Sequence, residues 1–153
     1  MRWPSTISSL PRLAGGRSKP FALTQTACRR LGLTCQETQT SSVAKAWQRL
    51  SEHLDDGRPV GLQLDCYYLP YFRNAPHFAG HFVAATGLDD DQVDVVDTVQ
   101  QGTTHRVSRS ALEAARHAGG PMSAKARAYT ITGEVTADLG RAALTAMRQT
   151  AVT

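Results

Sequence analysis

The segment that most restricts what this chain can fold into is residues 76–98, PHFAGHFVAATGLDDDQVDVVDT, where two short β-forming runs flank a cluster of turn residues. Residues 80–87 are apolar and contain Phe82 and Val83. Residues 92–97 alternate so that Val93, Val95 and Asp97 share one face, and Leu88, Asp89, Asp90 and Asp91 supply the turn. The pattern predicts a β-hairpin. His81 and Asp97 are each eight residues from Asp89, so a hairpin centred there sets them directly opposite, with Cβ atoms roughly 5 Å apart. A slip by an even number of residues would keep them on one face. A carboxylate on one imidazole nitrogen fixes the tautomer and stabilises the imidazolium, which leaves the other nitrogen to take a proton from a nucleophile such as a cysteine thiol. The same spacing also accommodates a histidine satisfied within a sheet and an aspartate that ends a strand. A metal set of His77, His81, Asp97 and Asp65 is disfavoured, because the two histidines fall on a loop and a strand rather than on one helix face, and no cysteine pair has ligand spacing.

The rest of the chain reads as helices first, then strands. Residues 20–32 form a helix closed by Gly32, and residues 42–55 form a second with Val43, Trp47, Leu50 and Leu54 on one stripe before Gly57. Residues 59–65 (PVGLQLD) make a strand. The following stretch, 66–79, carries Tyr67, Tyr68, Tyr71 and Phe72, which suits a pocket wall or a flap over the core. Residues 103–107 add a strand, Ser110 with Glu113 has the capping-box spacing of a helix start, and that helix ends near Gly119 and Gly120. Residues 126–132 give a last strand. Residues 136–152 give an amphipathic helix with Leu139, Ala143, Leu144 and Met147 on one side and Asp138 near its start. The expected architecture is α+β with a mostly antiparallel sheet. Three segments are expected: an irregular 1–18, a domain over 19–133, and a linker or the start of a further domain over 134–153.

The 153 residues can bury a sizeable core. The formal charge is +4. Its positive excess lies before Glu37, the first acidic residue, and Arg12, Arg17, Lys19, Arg29 and Arg30 lack the interleaved aromatics of a nucleic-acid module, so no nucleic-acid partner is expected. Pro4 and Pro11 break any amphipathic targeting helix, and no apolar run is long enough for a secretory signal or a membrane span. Three cysteines without paired spacing fit a reducing cytoplasm rather than a disulfide framework. Cys28 falls in mid-helix, Cys35 in a short connecting stretch, and Cys66 at the end of the 59–65 strand, in the neighbourhood of His81. Cys66 is therefore the one thiol placed to serve as a substitute nucleophile.

The blocks GRPVGLQLDCYYLPYF (57–72), HFAGHFVAATGLDDDQVDVVDT (77–98) and VSRSALEAAR (107–116), with KAWQRLSEHLDDG (45–57), resemble in order and spacing the N-terminal domain of butirosin biosynthesis protein H, over about residues 15–133. The resemblance implies a papain-like cysteine enzyme, more distantly similar to the peptidase domains of bacteriocin exporters. It implies acyl transfer from an acyl carrier protein thioester to a small amine acceptor through a cysteine acyl-enzyme, with no cofactor. It makes His81 the catalytic histidine, Asp97 its orienting acid, and Asp65, Tyr68, Leu69, Pro70 and Tyr71 the loop beside the site, with Asp65, Tyr68 and Tyr71 in the substrate pocket.

In that family the nucleophilic cysteine lies in an Asn-Cys-like segment opening a helix near the domain's start. Residues 1–16 hold no cysteine, so the expectation is an N-terminally truncated version with the nucleophile helix missing. A degenerate, non-catalytic relative that binds a small molecule or carrier protein, and a peptidase- or amidase-like hydrolase on the same scaffold, are the alternatives.

Overall fold

In the computed structural model, residues 22–120 and 122–151 are described, and the segment 1–18 read as irregular lies outside them. Residues Thr34–Gly133 form one compact unit, and the described residues 22–33 and 134–151 belong to a second.

In the larger unit, strand β1 (Thr34–Thr38) is followed by helix α2 (Val43–Asp55), strands β2 (Val60–Leu64), β3 (His81–Asp89), β4 (Gln92–Val96) and β5 (Thr104–Ser108), helix α3 (Arg109–His117) and strand β6 (Ala128–Thr132). The six strands make one sheet in the order β1-β6-β2-β3-β4-β5, every pairing antiparallel. The α+β reading therefore stands. The succession differs from helices-then-sheet, because β1 precedes α2 and α3 interrupts the strands.

Helix α2 starts where Ser42 accepts a hydrogen bond from the Lys45 amide at 3.3 Å. It stops at Gly57, whose φ of +68° lets the chain turn back so that the Gly57 amide reaches Leu54 O at 2.9 Å. Its buried stripe is Ala46, Leu50 and Leu54, one turn apart. Val43, expected on that stripe, is exposed, and Trp47 is half-buried beneath the Arg109 guanidinium, 4.4 Å from its ring. In α3 the cap is Ser108, which accepts from the Ala111 amide, rather than Ser110; Glu113 pairs with Arg109 at 2.9 Å instead of closing a capping box.

The core forms where α2 and α3 lie against the sheet. Leu50, Leu54, Leu112 and Ala115 meet Val60, Leu62, Leu64, Val83, Ala85, Val93, Val95 and Val107 in one cluster. Each fully buried Leu or Val contributes about 1.5–3 kcal/mol, and the alternation of these residues fixes which face of every strand looks inward. Cys35, expected in a connecting stretch, sits in β1 and pairs with Ile131 of β6.

In the smaller unit, helix α1 (Leu23–Leu31) ends at Gly32, whose φ of +78° sets a left-handed cap, and the Thr136 amide bonds Leu31 O at 3.3 Å. Cys28 is buried in α1. Helix α4 (Leu139–Ala151) begins where Asp138 accepts from the Arg141 amide at 3.0 Å, and its Leu139, Leu144 and Met147 are exposed. Among the described residues no helix is long and apolar enough to cross a membrane.

Candidate active site

The hairpin turns more tightly than its sequence indicates. β3 runs to Asp89, opposite Gln92, so the turn is only Asp90 and Asp91, with Asp90 at φ +52°. From this end Leu88 pairs with Val93 and Gly87 with Asp94; the register then shifts, and Ala85 pairs with Val95 and Ala84 with Val96. That shift is a β-bulge at Thr86, which adds one residue to β3. Were Thr86 paired rather than bulged, the outer register would set Asp97 opposite Ala84, and His81, three residues away, would point to the other face. With the bulge, the inner register sets Asp97 opposite Val83, on the same face as His81. The contact is thus diagonal rather than directly across, displaced by two residues from a hairpin centred on Asp89.

The two side chains meet closely. His81 Nε2 is 2.7 Å from Asp97 Oδ2, with the Asp97 side chain fully buried and the His81 side chain 18% exposed. Oδ2 also accepts the Tyr71 hydroxyl at 2.9 Å, and Oδ1 accepts the Thr98 amide at 2.6 Å. Burial pushes the Asp97 carboxyl up, but the bonds from His81, Thr98 and Tyr71 together outweigh it and hold the acid below its ordinary value. An ionised carboxylate only accepts, so Nε2 carries a ring proton, and in the neutral imidazole Nδ1 is the nitrogen that presents a lone pair. Burial and the neighbouring Asp97 charge raise the Tyr71 phenol, which stays a donor. Tyr71 stacks on His105, centroids 3.7 Å apart, and Phe72 stands edge-on to the His81 ring at 5.1 Å. The aromatic loop therefore fixes both the acid and the imidazole.

Asp65 builds a different cluster. It is buried at the end of β2, where its amide bonds Ala115 O at 2.9 Å. Its Oδ1 accepts the amides of Tyr67 (3.0 Å) and Phe78 (2.9 Å), and its Oδ2 lies 3.1 Å from His77 Nδ1. Burial raises this carboxyl, and the Tyr67 amide, His77 and the Phe78 amide pull it below the ordinary range. Asp65 thus pins both ends of the 66–79 loop. Tyr68 belongs here too, with its ring 5.7 Å from that of His77, which in turn stacks on Tyr67 at 3.9 Å. Of the three pocket residues read from the sequence, Tyr71 joins His81 and Asp97, while Asp65 and Tyr68 gather around His77. His77 entered the sequence reading only as a metal candidate. Its pairing with Asp65 had no periodic signal, because it arises from loop closure. Among the described residues no group of His, Cys, Asp or Glu is arranged to hold a metal ion.

The Cys66 thiol is buried and lies 3.5 Å from Pro76 O as a donor. Burial and then the Asp65 charge push it up, which keeps it protonated.

An α+β domain with a carboxylate-anchored histidine at the start of a central strand of an antiparallel sheet defines the class. Residues 3–98 match the family model for the N-terminal domain of butirosin biosynthesis protein H, and the chain belongs to that family. The match takes in residues 3–14, beyond the span read from the sequence, and ends one residue after Asp97. No curated protein matches the chain.

Proposed function

We propose that this domain carries the acid–base half of an acyl-transfer centre on a papain-like scaffold. His81 acts as general base through Nδ1, and Asp97 orients it. The observation that carries this reading is the 2.7 Å bond from His81 Nε2 to a fully buried Asp97, with the imidazole still partly open. In the reaction a cysteine thiol gives its proton to Nδ1, and its sulfur attacks the carbonyl of a carrier-protein thioester. The carrier thiol leaves with that proton, and an amine then displaces the cysteine to form an amide. Tyr71 and Phe72 hold the base in line throughout. Family membership supports a role in biosynthesis.

A second reading, a non-catalytic domain that binds a small molecule or carrier protein, draws on Cys66. Its thiol donates to Pro76 O and is shifted away from the thiolate a nucleophile needs.

The test uses the protein purified from its own cells, with its intact mass and N-terminal sequence recorded, mixed with an aminoacyl carrier-protein thioester and a primary amine. Acyl transfer predicts a covalent adduct on a cysteine and an amide product, both lost in His81→Ala. Adduct mapped to Cys66 would make it the nucleophile. Thioester binding with neither adduct nor amide would sink the transfer reading and leave the binding one.

A further inference from the structure

Away from His81, at the β1–β6 end of the sheet, a cavity of about 60 Å³ lies under α2. Its lining includes Arg116, Arg49, His53, Gln36, Thr38 and Thr130, and no carboxylate. Arg116 is the unusual member. It sits in the last turn of α3 and is only 3% exposed. Its guanidinium reaches Ala46 O at 3.1 Å and Ala126 O at 3.5 Å, while its Nε is buried with no hydrogen-bond partner among the described residues. His53 Nδ1 is likewise buried and unpartnered. The acid one turn before Arg116 in α3 is Glu113, and it is engaged by Arg109 at 2.9 Å.

Burial, offset in part by Glu113, pushes the Arg116 guanidinium down to about 10, so it remains a cation at neutral pH. A buried guanidinium bonded only to carbonyl oxygens is expensive, and pairing with an anion removes much of that cost. The donors around the cavity suit one kind of anion: two arginines, an imidazole, an amide and two threonine hydroxyls offer more hydrogen bonds than a planar carboxylate accepts. Taking ~30 Å³ per water molecule, the cavity of about 60 Å³ has the room of about two waters, which one small oxyanion would take in their place.

We propose that this cavity is an oxyanion site that binds phosphate, either as the inorganic ion or as the end of a phosphomonoester, with Arg116 and Arg49 as its cationic ligands. The inference is independent of the role assigned to His81. Inorganic phosphate and glycerol phosphate are titrated into the whole chain by calorimetry at constant ionic strength, with sodium chloride as the control. Wild type gives saturable binding that chloride does not reproduce. Arg49→Gln weakens it by about tenfold or more, whereas Arg58→Gln, at an exposed arginine outside the cavity, leaves it unchanged. Because Arg116→Gln can fail to fold, the exposed Arg49 carries the test. Tighter binding of glycerol phosphate supports a phosphorylated metabolite as the ligand, and equal or weaker binding supports the free ion. Absence of binding, or binding that Arg49→Gln and Arg58→Gln alter equally, overturns the proposal.

Discussion

The molecule holds two histidine–aspartate pairs of similar length and opposite construction. In His81–Asp97 the acid is wholly buried and two donors share one of its oxygens, while the histidine is braced by Phe72 and left 18% exposed. In His77–Asp65 the acid is equally buried, but its main work is to bind two backbone amides, and the histidine is 60% exposed. One carboxylate orients a side chain, and the other closes a loop that happens to end in a histidine. The number of bonds each acid makes to backbone, and how rigidly its imidazole is held, separates a site from a staple better than the His–Asp distance does.

The largest expected effect is on the first pair. In Asp97→Asn the new amide cannot accept two donors where its NH2 falls. His81 then responds by moving its proton to Nδ1, so that Nε2 accepts. The base is thereby switched off, and acyl transfer falls by about 10³–10⁴. The ¹⁵N shifts of the ring report the tautomer directly, and an unchanged tautomer would break the comparison. Asp65→Ala instead costs about 3 kcal/mol of stability in urea unfolding, because the Tyr67 and Phe78 amides lose their acceptor. Asp65→Asn, which can still accept from both amides, costs distinctly less.

Acid should expose the two carboxylates together. Both are held below their ordinary values in the folded state. Their stabilisation is therefore complete above the unfolded carboxylate pKa and is lost as pH falls through the lower folded values. Melting temperature followed from pH 6 downward should drop less steeply in Asp65→Asn than in wild type. Tyr71→Phe removes one neutral donor from Asp97 at about 1 kcal/mol, with Asp97 titrating at higher pH by carboxyl ¹³C NMR. His77→Ala, at an exposed ring, changes stability by roughly 0.5 kcal/mol or less. A loss comparable to that of Asp65→Ala would show that the loop is closed by the histidine after all.

How much of this was legible in the sequence varies with the physics behind each part. Val93, Val95 and Asp97 alternate strictly, and Val83 and Ala85 are inward, so the hairpin and the shared face of His81 and Asp97 could be read from pattern. The extra residue at Thr86 could not, because a bulge leaves composition unchanged. β1 was missed because TCQET has no apolar alternation. It is an edge strand whose Gln36 and Thr38 face the Arg116 cavity rather than the hydrophobic core. The Asp65 cluster is a product of loop closure, to which no local period corresponds. Arg116 sits in the last turn of an amphipathic helix, where arginine is common on the solvated face, and nothing local marks it as buried.

The bulge is a spare residue in an otherwise matched pair of strands. Thr86 is exposed, and most single substitutions there should pass unnoticed. Loss of its codon should be tolerated as well: Gly87 on Asp94 and Ala85 on Val95 become neighbouring pairs, and Asp97 still falls opposite Val83, on the face of His81. What parts the two side chains is Thr86 kept but drawn into the pairing, which moves Asp97 opposite Ala84. For anyone who trims, grafts or recombines this hairpin, what must be conserved between residue 81 and residue 97 is the number of paired residues on each strand, and Thr86 lies outside that count.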